Sequence, residues 1–256
     1  MNTIQKELKR AEEKKFEEEI FGEETIVKLT PNNVAIVEAM LCYDSAYNRS
    51  VLVDAKPRYS NNKLIYGGST AYWMTVLKEI LVDGVENKIY SYESIIENAV
   101  AAIDRENNTH LNADKCGRAE IKQRICEFDR VELIKCLKNP NYKDLKLIEE
   151  LSRKTSALRR ARNNLSFASK FCHYACYYFF PETDNQDNYP IYDSVIKKVL
   201  PIYLKRYNIN YTYKLDNYKY YCDAIERIRK ASDIEISRNG LDHLLWYYYK
   251  GRYELV

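Results

Sequence analysis

No apolar run in this 256-residue sequence approaches the roughly 18 to 20 residues needed to span a bilayer. The N-terminus is charged where a secretory leader would need an apolar stretch, so the expectation is a cytoplasmic protein without a membrane partner. Cysteine is present but unpatterned: Cys42, Cys116, Cys126, Cys136, Cys172, Cys176 and Cys222 are odd in number and follow no framework spacing. That argues against a disulfide scaffold and for reduced thiols. Glycine is scarce, seven in all, and none lies between Gly117 and Gly240. No repeat period or low-complexity tract stands out, which excludes solenoid architectures. Strand signals are also few, leaving a mainly α fold.

What is present is a globular composition, 46% hydrophobic and 30% charged, with 24 tyrosines. Net charge is only +3, and its distribution is more informative than its sum. From Arg153 to Lys214 there are eleven Lys and Arg against four Asp and Glu, so the basic charge is concentrated there.

Apolar spacing and capping residues divide the chain. Residues 1–25 form a charged N-terminal segment with a helix from Thr3 to Phe21, followed by a helical lobe over 26–140 and a second lobe over 141–256. The first lobe is expected to hold helices over Pro31–Leu41 behind Thr30, Ser69–Leu81 around Trp73, Ser91–Ile103 behind a Ser91 cap, and one long helix over Arg118–Leu137. Val51 to Val53 is strand-like, and Tyr66-Gly67-Gly68 reads as a turn. The second lobe opens with a helix from about Lys143 to Arg160.

The stretch from Leu158 to Leu200 carries the chemistry. A basic helix end leads to Asn163-Asn164, a turn signal, and Ser166 is placed to cap an aromatic helix bearing Ser169, Lys170 and His173. Pro181 to Asn188 breaks that helix, Tyr189 to Tyr192 is extended, and Asp193-Ser194 caps the next helix, Val195–Leu200. A lysine attacks an anomeric carbon only as the neutral amine, and desolvation beside a buried apolar helix favours that form. A helix N-terminus favours negative charge, so an aspartate there can stabilise a cationic sugar.

Helix, tight turn, helix with an early lysine, then an extended approach to an Asp at a helix start: this order resembles the helix-hairpin-helix DNA glycosylase superfamily, in particular its 8-oxoguanine glycosylase-like branch. The match covers roughly residues 145–200, and the final helix loosely. The resemblance implies a two-lobed helical architecture with little β. It also implies an enzyme that flips a damaged or modified base from double-stranded DNA and cleaves its N-glycosidic bond. Lys170 and Asp193 are the catalytic pair it points to, with AP-lyase activity following if Lys170 forms a Schiff base. His173, Tyr174, Tyr192, Asp242 and Trp246 are candidates for the base pocket, the last two sharing a face of a helix that starts after an Asn239-Gly240 turn. Arg160, Arg162, Asn163, Asn164, Ser166, Ser169 and Lys197 are candidates for DNA contact. The chain would act as a nucleoid-associated monomer without a cofactor.

Two departures from the family stand out. The hairpin glycines are replaced by Asn163 and Asn164, and the cysteine pattern that would hold an iron-sulfur cluster is absent. An inactive module recognising modified or phage DNA in antiviral defence is the alternative. Cys172, His173 and Cys176 share a helix face but lack a fourth metal ligand, and are read as core residues. Tyr203, Tyr207, Tyr211, Tyr213, Tyr218, Tyr220 and Tyr221 crowd a basic region that could contact phosphates and bases.

Overall fold

The computed structural model describes residues 26–41, 44, 46–47, 56–60, 63–111, 117–140, 145–155 and 163–249. The helix expected over Thr3–Phe21, the strand-like Val51 to Val53, and Arg160 and Arg162 lie outside these described residues. Ten α-helices are described: α1 (Pro31–Leu41), α2 (Thr70–Leu81), α3 (Tyr92–Asn107), α4 (Gly117–Cys126), α5 (Arg130–Lys138), α6 (Lys146–Ser152), α7 (Leu165–Phe179), α8 (Ser194–Arg206), α9 (Tyr218–Ala231) and α10 (Arg238–Tyr249). One antiparallel hairpin, β1 (Arg58–Ser60) with β2 (Lys63–Tyr66), supplies the strand content of the described residues. The protein is mainly α, as its residue spacing predicts, and no helix among the described residues is long and apolar enough to cross a membrane.

Local chemistry explains where these helices begin. Ser91 accepts the Ser94 N–H at 3.2 Å, so the expected cap forms, and Ser69, expected as the first residue of its helix, caps it instead by accepting the Tyr72 N–H at 3.1 Å. Thr30 Oγ1 accepts the Asn33 N–H at 3.2 Å and starts α1. The long helix predicted over Arg118–Leu137 is instead two. Asp129 is extended (φ −64°, ψ 160°) and its carboxylate takes the Glu132 N–H at 2.8 Å, which restarts the chain as α5. Apolar periodicity alone runs across that junction, because buried Phe128 fills the step between the helices.

The predicted helix Lys143–Arg160 is shorter as well. It stops at Ser152, where Arg153 turns extended and Arg124 donates to the carbonyls of Arg153 at 2.7 Å and Lys154 at 2.8 Å. Conversely, α8 runs through Pro201 to Arg206, because Pro201 lies on the exposed side where one lost backbone bond is tolerated. The final helix starts at Arg238, with Asn239-Gly240 inside its first turn rather than before it. Asp187 makes this start: its carboxylate accepts the Arg238 N–H at 2.7 Å and the Asn239 N–H at 2.6 Å.

A continuous hydrophobic core runs from Val27 to Tyr249. At its centre is α7, with 13 of its 15 residues buried, packed against α2, α3, α5 and α6. Against the other part of the core, α10 packs on α1, α8 and α9. A buried carboxylate ties α3 to the chain that follows. Asp104 accepts from Thr109 Oγ1 at 2.6 Å, the Leu111 N–H at 2.9 Å and Arg118 Nε at 2.8 Å. Burial alone would raise the Asp104 pKa, but these donors and the Arg118 charge hold it below the usual carboxylate range.

Candidate active site

The first half of the site is built by the start of α7. Asn164 is the N-cap residue, yet it makes no side-chain cap bond. Its backbone N–H donates to the Ser152 carbonyl at 2.9 Å and its side-chain amide to the Arg153 carbonyl at 2.9 Å, tying the start of α7 to the end of α6. Asn163 beside it is exposed. Ser166, predicted to cap this helix, stands inside its first turn instead, and its Oγ accepts Lys170 Nζ at 3.1 Å. An asparagine and a serine two residues apart are equally good cap candidates, so the sequence alone does not choose between them.

Lys170 is 7% exposed and Asp193 8%. Asp193 is the N-cap of α8, its Oδ1 accepting the Val195 N–H at 2.7 Å, as its sequence setting predicts. The extended approach to it is fixed at each step. Tyr218 donates to the Pro190 carbonyl and Tyr221 to the Ile191 carbonyl, both at 2.7 Å. Ser169 Oγ accepts the Tyr192 N–H at 2.9 Å, while donating to the Ser166 carbonyl. Thus Ser169, fully buried, joins the α7 lysine turn to the residue before Asp193.

Asp242 completes the cluster from α10. It is 1% exposed, its Oδ2 accepts the Ile191 N–H at 3.3 Å, and its Oδ1 is buried without a hydrogen-bond partner. Burial first, and the nearby Asp193 carboxylate second, hold the Asp242 carboxyl well above the ordinary range, while Lys170 opposes the shift. One carboxyl whose neutral form is favoured therefore sits within electrostatic reach of both a lysine and a second carboxylate. Such a set can attack, stabilise positive charge and deliver a proton at one place.

The remaining predicted residues divide by location. Tyr192 is half-buried near this cluster, with its hydroxyl 3.5 Å from Asp216, and Lys197 pairs with Asp216 at 2.6 Å beneath the same ring. Trp246 lies one turn beyond Asp242 on α10, half-buried and edge-on to Tyr247 at 5.1 Å. His173 and Tyr174 instead face the interior. Tyr174 donates to Asn107 Oδ1 at 2.9 Å. His173 Nδ1 lies 3.0 Å from the Tyr189 carbonyl, which can only accept, so Nδ1 carries the proton and Nε2 is bare. Burial lowers the pKa of this histidine to about 4.

Tyr47 then donates to His173 Nε2 at 2.8 Å and must accept from His243 Nε2 at 2.9 Å. His243 is likewise held well below its ordinary pKa, by burial and by His173 beside it. Sequence reading missed this ordered chain. Tyr47 is one tyrosine among 24 and lies far from both histidines in sequence, with no local pattern to mark it. Cys172 and Cys176 flank His173 but are buried thiols, Cys176 Sγ lying 3.6 Å from the Leu137 carbonyl. Among the described residues no cluster of His, Cys, Asp and Glu is placed to hold a metal ion. No protein-family model, no curated protein and no solved structure matches this chain.

Proposed function

We propose that the chain is a DNA glycosylase of helix-hairpin-helix type that flips a damaged or modified base from the duplex and cleaves its N-glycosidic bond. The observation that carries this reading is the convergence of Lys170, Asp193 and Asp242, from α7, α8 and α10, in one largely desolvated cluster. In it the Lys170 amine attacks C1′ of the flipped nucleotide as the bond to the base breaks, with the bonding electron pair leaving on the base. Asp193 stabilises positive charge on the sugar, and the protonated Asp242 carboxyl supplies the proton that the departing base takes up. Collapse of the sugar–lysine adduct to a Schiff base permits β-elimination and strand nicking.

The start of α7 fits a DNA-facing role in a modified form. The N–H groups of Leu165, Ser166 and Phe167 precede the first helical bond, Ala168 N–H to the Asn164 carbonyl, and the Asn164 side chain does not cap them. A DNA phosphate can accept from such groups without hairpin glycines. Tyr192, Lys197 and Trp246 form the half-buried surroundings through which a base would approach.

The test is incubation with duplexes carrying varied lesions and phage-type hypermodified bases, with mass spectrometry of released bases and borohydride trapping of the adduct. Base release by the native chain, loss of trapping in Lys170→Ala and loss of release in Asp193→Asn are expected. A second reading is favoured by one observation, the engagement of the buried Lys170 with Ser166. Salt-dependent binding of modified DNA with no release of any base would assign the chain as a recognition module rather than an enzyme.

A further inference from the structure

A cavity of about 1050 Å³ opens at the other end of α7, between the end of α1, the chain before α10 and the first turns of α10. Its lining includes Tyr177 but neither Lys170 nor Asp193. Seven residues separate Tyr177 from Lys170, roughly 10 Å along the helix axis, so this is a second place and not the mouth of the first.

Its deep wall offers acceptors. His243, 6% exposed, lines the cavity and uses its Nε2–H on Tyr47, which leaves Nδ1 as a lone-pair acceptor; the ring's hydrogen bonding among the described residues is that one bond. Asn239, 8% exposed, also lines it, and donates through Nδ2 to the Gln186 carbonyl at 2.9 Å. Its Oδ1 is buried with no hydrogen-bond partner. The ordering of protons explains why. The Asn239 amide lies beside His173, whose Nε2 is bare because Tyr47 donates to it, so an acceptor there meets another acceptor.

The rim has the same character. Glu38, Asp184 and Glu235 are exposed carboxylates on the lining. The two arginines of the lining are directed elsewhere: Arg229 pairs with Glu226 at 2.9 Å and Arg238 with the same carboxylate at 3.1 Å. Tyr47 and Tyr177, edge to face at 5.1 Å, add aromatic wall. A space with the His243 Nδ1 lone pair at its base, carboxylates at its edge and aromatic sides suits a ligand that brings donors and positive charge.

We propose that this cavity binds a small free organic cation with several N–H donors, a guanidinium or alkylammonium compound. A donor satisfies His243 Nδ1, and the rim carboxylates attract and retain the charge. The site is independent of the glycosylase reading and stands or falls separately from it.

Isothermal titration of the intact chain with agmatine and with spermidine tests the proposal, with AMP as the anionic comparison. Sub-millimolar binding of at least one cation is expected, and none of AMP. Glu38→Gln combined with Glu235→Gln alters only exposed positions and should weaken cation binding by roughly threefold or more, with a flatter salt dependence. Lys170→Ala should leave it unchanged. Absence of binding by both cations up to about 10 mM would overturn the proposal. So would an affinity untouched by the rim pair, AMP binding as tight as the cations, or binding of N-acetyl-arginine methylamide without binding of agmatine, which would point to a peptide side chain.

Discussion

Asp193 and Asp242 approach one buried region from the starts of α8 and α10, and the charge of the first helps to keep the proton on the second. A carboxylic acid whose folded pKa exceeds its unfolded value keeps its proton in the native state after the unfolded chain has released it. Stability therefore falls as pH rises from the ordinary value of 3.8 toward the folded value. An amide keeps the shape of the neutral acid, so Asp242→Asn should remove this decline, about 1.4 kcal/mol per pH unit while it operates. Urea unfolding of both proteins across pH should show the curves diverging as pH rises.

His173 and His243 predict the opposite slope. Both are held neutral in the folded state, whereas in the unfolded chain they take up protons below about 6.5. Stability should drop as pH falls from 6.5 toward 4, the folded value of His173, by about 1.4 kcal/mol per unit for each histidine. Tyr47→Phe, which strands two buried ring nitrogens, should cost roughly 2 to 4 kcal/mol at neutral pH. A loss below about 0.5 kcal/mol would mean that the three side chains are not ordered as described.

On the proposed glycosylase reading, Asp193 has two duties that separate by substitution. Asparagine caps a helix as well as aspartate does, so Asp193→Asn should change stability by only a few tenths of a kcal/mol. Base release should nonetheless fall by roughly a hundredfold or more, since the charge is lost. Asp193→Ala should lose both the activity and about 1 kcal/mol of stability. Equal base release by the native chain and by the Asp193→Asn variant would remove Asp193 from the chemistry.

Asp104 should be the most costly carboxylate to remove from the part of the chain that precedes α5. Asp104→Ala leaves Thr109, the Leu111 N–H and Arg118 without their acceptor, at a cost of about 3 kcal/mol. Because its pKa is lowered on folding, its contribution is complete above its ordinary value of 3.8 and disappears as pH falls through the folded value. Thermal unfolding at pH 7 and at pH 3 should show a smaller difference between native and variant at the lower pH.

The mainly α class and the starts of α1, α2, α3 and α8 were legible because each is announced by a residue whose side chain can take a backbone N–H within the same turn. The choice of Lys170 and Asp193 as candidates rested on local order of the same kind, around one turn and one cap, and of that order the Asp193 cap forms. Helix ends made by distant groups were not. Arg124 ends α6 from the other side of a long gap, and Asp187 starts α10 from a turn 52 residues before Asn239. The Tyr47 chain of hydrogen bonds was invisible on the same account, since its three members come from three separate regions. Tyr218 and Tyr221 stood out as part of a basic, tyrosine-rich region that could contact phosphates and bases, whereas both are buried and their hydroxyls fix the backbone leading to Asp193.

The burial of α7 on nearly every side makes it a spacer of fixed length. Lys170 near one end and Tyr177 near the other cannot rotate or slide separately, because each neighbouring side chain would have to find a new seat. Through α7, an occupant of the cavity could influence the lysine only by shifting the entire helix, a graded response being closed to that route. Any cross-talk carried by α7 would therefore be all or nothing.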